Sequence, residues 1–372
     1  MPVNVSRVPG AAVRRRPPDG VARRARETAR VEPEALGLTP ERLREMYEVM
    51  LLARTVDERQ WILNRQGRQA FHISCQGHEG SGVGSAFALA RGKDIMVPYY
   101  RSLAAVMAFG MTAREVFLAA LAKAEDPTAG GRQMPAHYGH PALKILTSGS
   151  CVATQIPHAV GAALASKIRG DGAVAIAYFG DGASSKGDFH EGLNFAAIHK
   201  LPVLFVCENN QYAISVPISK QMAVRSVAER APGYGMPGVS VDGTDTLAVY
   251  RAVKEAAGRA RAGGGPALIE SNVVRLTPHS SDDDDRRYRP ESEREEVRRQ
   301  DPIARFGKCL RDSGVLDDAS ESSIRERVKA TVDEALAYAE QAPGPAPETA
   351  LDHVYVGRRM PDFRAHLRAP TG

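Results

Sequence analysis

An α/β fold, with a doubly wound, mostly parallel sheet and helices on both faces, is the class this sequence predicts, and three observations predict it. Between residues 171 and 275, short apolar runs alternate with helix-like stretches. Those runs are apolar on both faces, as strands covered from both sides must be. Two polar clusters, GDG and ENN, fall where two of the runs end, and the carboxyl ends of parallel strands are where open sheets bind ligands.

The elements follow in order. Order begins near residue 39, where Thr39 can cap a helix, Pro40 fits its first position, and Leu43, Met46, Tyr47 and Met50 repeat on one face. AVAIAYF (173–179) reads as strand, SKGDFHEGLNFAAIHK (185–200) as helix and LPVLFVC (201–207) as strand. DTLAVYRAVKEAAGRARA (245–262) reads as a helix stopped by three glycines, and PALIESNVV (266–274) as the next strand. The charged stretch 279–301 reads as a mobile surface loop, two helix-like stretches fill about 302–340, and a proline-rich bend at 343–347 precedes a tail with HVYV at 353–356. No repeat and no compositional break divides the chain after residue 36. A flexible arginine-rich arm over 1–36 and one folded domain over 37–372 are therefore expected.

Composition narrows the class. With 43% apolar and 25% charged residues, a chain of 372 residues is an ordinary globular protein, not a disordered or fibrous one. Its apolar runs stop far short of the roughly 20 residues of a membrane helix. The four cysteines, at 75, 151, 207 and 309, are too far apart for a CxxC metal knuckle and too few for a disulfide framework. They read as free thiols in a reducing compartment, the cytoplasm, with the mitochondrial matrix as alternative. Much of the +5 net charge sits in the first 30 residues, which carry eight arginines. Such an arm can be a disordered tail, a nucleic-acid-binding segment or a presequence; Pro17, Pro18 and Asp19 interrupt the helix a presequence would need. A nucleic-acid-binding protein with an incidental GDG is the alternative from another class.

The chemistry gathers at the strand ends. Gly180 and Gly182 let backbone amides approach a phosphate, and the helix start that follows adds favourable partial charge. Asp181 and Asn210 are hard oxygen ligands of the kind Mg²⁺ takes, and a carbonyl from the turn after Asn210 can supply a third. Alone, GDG is a common strand-to-helix turn and NN a common turn pair. Here 26 residues reading as helix then strand separate them.

So spaced, the two resemble the diphosphate and magnesium motif of thiamine diphosphate enzymes. The segments GRQMPAHYGH (131–140), SCVATQIPHAVGAALA (150–165), NNQYAISVP (209–217) and HSSDDDDRRYR (279–289) resemble the alpha subunit of the decarboxylating component of 2-oxo acid dehydrogenase complexes. GRQMP with HYG is most similar to the branched-chain members, where pyruvate enzymes carry a GGSMH-type segment. The resemblance covers about 37–365.

It implies roles residue by residue. Asp181, the Asn210 side chain and the Tyr212 carbonyl would hold the metal, and Gly180, Gly182 and Ala183 would line thiamine diphosphate. Tyr100 and Arg101 would face its diphosphate, and Ser150 and Val152 its aminopyrimidine side. Thr154 and Gln155 match ligands of a potassium site in some members, although Gly149 stands where those members carry serine. His279 would lie beside the diphosphate on a loop that orders with cofactor and would assist acyl transfer; otherwise it is a charged-loop residue or part of a calcium loop. Ser280 matches a serine that kinases phosphorylate in mitochondrial relatives. Phe71, His72, Gln76 and Tyr99 match the substrate side. His137 and His140 read as cavity wall or core, and His78–Glu79 and His190–Glu191 lack the second histidine of HExxH. The implied activity is oxidative decarboxylation of a branched-chain 2-oxo acid, with pyruvate or acetoin as alternative substrates, and transfer of the acyl group to a lipoyl acyltransferase. The implied assembly is an α2β2 heterotetramer with a beta subunit that completes the site, with neither nucleic acid nor membrane as partner.

Overall fold

The computed structural model describes residues 36–147 and 149–352. The expected N-terminal arm, save Leu36, and the HVYV tail lie outside the described residues.

Among the described residues seven strands form, in chain order β1 (Ile95–Val97), β2 (Ala175–Gly180), β3 (Val203–Asn209), β4 (Tyr212–Ala213), β5 (Val216–Pro217), β6 (Gly238–Asp242) and β7 (Ala267–Asn272). Five of them make one sheet in the order β1-β2-β3-β7-β6, every pair parallel, and β4 and β5 form a small antiparallel hairpin. The expected strands at 173–179, 201–207 and 266–274 are β2, β3 and β7. Side chains alternate between two cores as the pleat requires. Ile176, Tyr178, Leu204, Val206 and Ile269 enter one core, while Ala177, Phe179, Val203, Phe205, Cys207 and Leu268 enter the other. This is why the runs read as continuously apolar.

The larger core is covered by α1 (Pro40–Arg65), α2 (Glu79–Phe87), α3 (Leu103–Phe109) and α4 (Ala113–Ala120). The opposite face carries α5 (Gln155–Arg169) and α6 (Gly187–Ile198). Further along the chain come α7 (Thr246–Arg259), α8 (Glu291–Arg298), α9 (Pro302–Asp312) and α10 (Asp318–Gln341), of which α7, α9 and α10 join the larger core. The start of α1 is as the sequence predicts: the Thr39 hydroxyl accepts from the Arg42 amide at 3.3 Å, Pro40 takes the first turn, and Leu43, Met46, Tyr47 and Met50 are buried. Helix α2, EGSGVGSAF, is buried on all sides. A Cβ at Gly84 would stand 2.5 Å from the Thr246 carbonyl oxygen, so only glycine lets α7 approach this closely.

Two expectations need correction. The stretch 279–301 is not simply a loop: it contains a short 3₁₀ turn and α8, and Arg289 braces it from within through Asp285 and Glu293, each at 3.1 Å. The GDG segment does not run straight into a long helix either; Asp181–Ser185 form a tight 3₁₀ turn before α6.

The two sheet edges differ. Along β1, residues 144–146 add backbone hydrogen bonds to both sides of Met96. Along β6, no further strand pairs among the described residues, and Val239 is exposed.

Candidate active site

β2 and β3 end side by side, with Gly180 in register with Glu208, so the GDG turn and the two asparagines emerge together at the carboxyl edge. A cavity of about 530 Å³ opens there. Tyr100, Arg101, Ser150, Val152, Gly180, Asp181, Gly182, Ala183, Asn210, Tyr212 and His279 all line it. Residues more than a hundred positions apart in sequence thus converge on one concavity.

The asparagines build the turn that follows β3. Asn209 accepts from the Gln211 amide at 2.9 Å and donates to buried Glu270 at 2.7 Å. The Asn210 side-chain oxygen accepts from the Tyr212 amide at 3.2 Å, and its nitrogen faces His78 Nε2 at 3.2 Å. Burial drives the His78 pKa well down, helped by the charges of Arg101 and Arg275, so its ring is neutral and Nε2 accepts. The turn is bent enough to put Gln211 and Ile214 at φ 72° and 56°. For β-branched Ile214 that conformation is strained, and its carbonyl is held by Arg275 at 3.0 Å.

Asp181 is 1% exposed, and its Oδ2 has no hydrogen-bond partner among the described residues. Burial pushes its pKa up to about 6, against the opposing pull of its own and the Asn210 amides and of the Arg275 and Arg101 charges. A buried carboxylate oxygen left without a donor is costly, and a cation beside it removes the cost. The glycines divide the work. A Cβ at Gly182 would come within 2.9 Å of the Ala213 Cβ, whereas one at Gly180 would meet nothing closer than 3.9 Å. Of these two, only Gly182 is required to be glycine by contacts with its own chain.

Arg101 is 2% exposed and is largely engaged by its own chain. One terminal nitrogen donates to the Ser74 carbonyl, and the other lies 3.2 Å from the His279 carbonyl and 3.3 Å from His279 Nδ1. Since a guanidinium only donates, Nδ1 accepts and the imidazole proton sits on Nε2. Burial and the charges of Arg101 and Arg275 push the His279 pKa down to about 3, so the ring is uncharged. Tyr100 meets it edge-on with ring centroids 6.0 Å apart. Ser280 is 7% exposed.

Ser150 has a dedicated partner. His137 Nδ1 points at the Met134 and Pro135 carbonyls, 3.2 and 3.0 Å away, so its Nε2 accepts from the Ser150 hydroxyl at 2.6 Å. His140, in contrast, pairs with Glu115 at 3.1 Å, a carboxylate the sequence reading did not connect with it. His190 bonds Tyr234, and among the described residues no group of histidine, cysteine or carboxylate side chains forms a metal cluster. Thr154 and Gln155 reach the cavity wall, but the Gln155 amide nitrogen is spent on the Tyr178 carbonyl at 2.9 Å. Of the four residues assigned to the substrate side, Tyr99 lines the cavity; Phe71, His72 and Gln76 do not.

Cys151, Lys186, Asp188 and Ile214 also line the cavity and were not singled out from the sequence. Lys186 and Asp188 follow GDG by four and six positions, and that nearness was the available signal. Glu208, 1% exposed, has its pKa pushed up to about 7 by burial, with Ser81 and Tyr99 beside it.

Comparison with known proteins identifies the family. A family model described as the dehydrogenase E1 component matches residues 47–348. The chain is 54% identical over 322 residues to the 2-oxoisovalerate dehydrogenase subunit alpha of Bacillus subtilis, covering 87% of this chain and 98% of that one. It is 42% identical over 300 residues to a pyruvate dehydrogenase E1 component subunit alpha of Staphylococcus aureus, covering 80% of this chain and 78% of the relative. With the mitochondrial 2-oxoisovalerate dehydrogenase subunit alpha of Homo sapiens it shares 41% over 319 residues, which are 86% of this chain and 71% of the relative.

Proposed function

Because the chain belongs to the dehydrogenase E1 component family, we propose that it is the alpha subunit of an enzyme that oxidatively decarboxylates branched-chain 2-oxo acids and passes the acyl group to a lipoyl acyltransferase. The substrate class rests on the comparisons: identity to the Bacillus 2-oxoisovalerate enzyme is 54% over nearly its whole length, against 42% for the pyruvate relative. Pyruvate and acetoin remain the alternative substrates.

The family depends on thiamine diphosphate, which when bound supplies the electron sink for decarboxylation. The observation that carries its assignment to this cavity is the buried Asp181 carboxylate, whose Oδ2 is without a partner among the described residues, beside the Gly182 turn. Mg²⁺ would be held by the Asp181 carboxylate, the Asn210 side-chain oxygen and the Tyr212 carbonyl. Gly180, Gly182, Ala183 and Tyr100 would line the diphosphate, with the Arg101 charge behind it. Ser150, held by His137, and Val152 would meet the aminopyrimidine side. His279, neutral with its proton on Nε2, is suited to donate a hydrogen bond and to hold a proton during acyl transfer. Two subunits of this chain with two beta subunits would complete two sites. The mouth of the cavity supports that assembly, since Val152 and Ile214 are left exposed there.

Calorimetric titration of the assembled αβ enzyme with thiamine diphosphate and Mg²⁺ tests the cofactor reading, and absence of binding heat refutes it. Turnover of 3-methyl-2-oxobutanoate well above that of pyruvate and acetoin supports the substrate; the reverse order reassigns it.

A further inference from the structure

We infer that Asp57 is a positioning residue for the reaction: from α1 it pins segment 72–76, and that segment holds both Arg101 and the loop carrying His279. The inference rests on the reading that Arg101 and His279 face the cofactor.

Asp57 is fully buried in the middle of α1, among side chains that, Gln60 apart, pack as core. Its carboxylate gathers donors from one short stretch of chain. The Cys75 amide and the Ser74 hydroxyl each donate to it at 2.8 Å, the Gln76 amide nitrogen at 2.9 Å, and His72 Nε2 stands 3.3 Å away. Burial works to raise the Asp57 pKa, but His72, Cys75 and Ser74 outweigh it and hold it below the usual carboxylate range, so the group is ionised. An apolar side chain would serve packing alone at less desolvation cost. What the carboxylate adds is the shape of residues 72–76.

That shape is then read by the site. The Ser74 carbonyl receives Arg101. The Gln76 carbonyl accepts from the Leu276 amide at 3.2 Å, where the His279 loop begins. Further along the loop, the His72 carbonyl accepts from the Ser281 amide at 2.8 Å, and the His72 amide donates to the Ser281 hydroxyl at 3.2 Å. Both flanks of His279 are therefore tied to the stretch that Asp57 organises. This also accounts for His72 and Gln76 standing outside the cavity lining: the segment acts from behind.

The test uses the assembled αβ enzyme carrying Asp57→Asn, which keeps the shape of the side chain but turns one acceptor into a donor. Arg286 and Arg287 are exposed on the loop and serve as trypsin sites. We expect cleavage there to quicken about tenfold and half-saturating thiamine diphosphate to rise about tenfold, with a fall in kcat, as small misplacements of reacting groups produce. Ser74→Ala, which removes one donor but leaves the carbonyl for Arg101, should move the same readouts less and serves if Asp57→Asn does not assemble. Val328→Ala, in the buried face of α10, supplies a variant of lowered stability away from the site. The proposal is overturned if Asp57→Asn and Ser74→Ala are cleaved and saturated like the parent enzyme. It is equally overturned if Val328→Ala quickens cleavage as much, or if faster cleavage comes with unchanged kinetics. Cleavage is read without cofactor, so it fails separately from the functional reading, whose own failure would show as no thiamine diphosphate binding by the parent assembly.

Discussion

At Asp181 the structure holds a carboxyl group in tension between burial and function. Its folded pKa, about 6, lies above the ordinary 3.8. Without metal, the folded chain therefore binds more protons than the unfolded chain between those values, and this group's contribution to stability falls as pH rises through that window. A divalent cation reverses the sign by favouring the ionised form. Mg²⁺-dependent cofactor affinity should accordingly weaken by up to about tenfold per pH unit below pH 6, and calorimetry across pH 5 to 7.5 would check it. Asp181→Asn should abolish the metal dependence; unchanged affinity would remove the residue from the site. Asp181 and Asn210 were legible in the sequence because their spacing places both at strand ends. The His137–Ser150 and Asn210–His78 pairs were not, since nothing in a linear pattern announces which histidine will fold against which polar group.

The elements most open to sequence reading were those with a strong period. β2, β3 and β7 stand out because each enters two cores, and α1 because its cap and apolar face agree. β1 has only three residues, and β6, GVSVD, is largely exposed, so neither leaves a strand signal. Helix α2 escaped for the opposite reason: glycine, serine and alanine let it be buried on every side, which erases amphipathic contrast. The charged stretch before α9 looked like loop because a helix held by Arg289 and its carboxylate partners needs no apolar stripe. Since α2 works by close approach, Gly84→Ala should destabilise the protein by about 1–3 kcal/mol through overpacking against Thr246, seen as a lower urea midpoint with unchanged slope. Gly80, whose added Cβ would stand 2.8 Å from the Gly243 carbonyl oxygen, should behave alike.

For the whole molecule, the mouth of the cavity at the strand ends still carries exposed apolar groups, and on the proposed reading the chain supplies only the diphosphate and metal side of a shared site. The purified chain alone should turn over no 2-oxo acid, and mixing it with its beta subunit should restore activity in proportion to heterotetramer formed, followed by sedimentation and turnover on the same samples. Activity of the lone chain would overturn the shared site. The class of fold could be read from the alternating apolar runs over 171–275 and the family from four separated motifs in one order, whereas the mutual support of residues 57, 72–76, 101 and 279 appears only in three dimensions.

The unequal flanks of the sheet carry a practical corollary for handling this protein. One margin is sealed by residues 144–146, but along the GVSVD margin no further strand pairs among the described residues, and a solvent-facing valine lies on it, the sort of border along which polypeptides self-associate. Production without a companion subunit should lose material to precipitation from that side, and Val239→Lys should raise the recoverable yield while leaving catalysis in the reconstituted enzyme untouched.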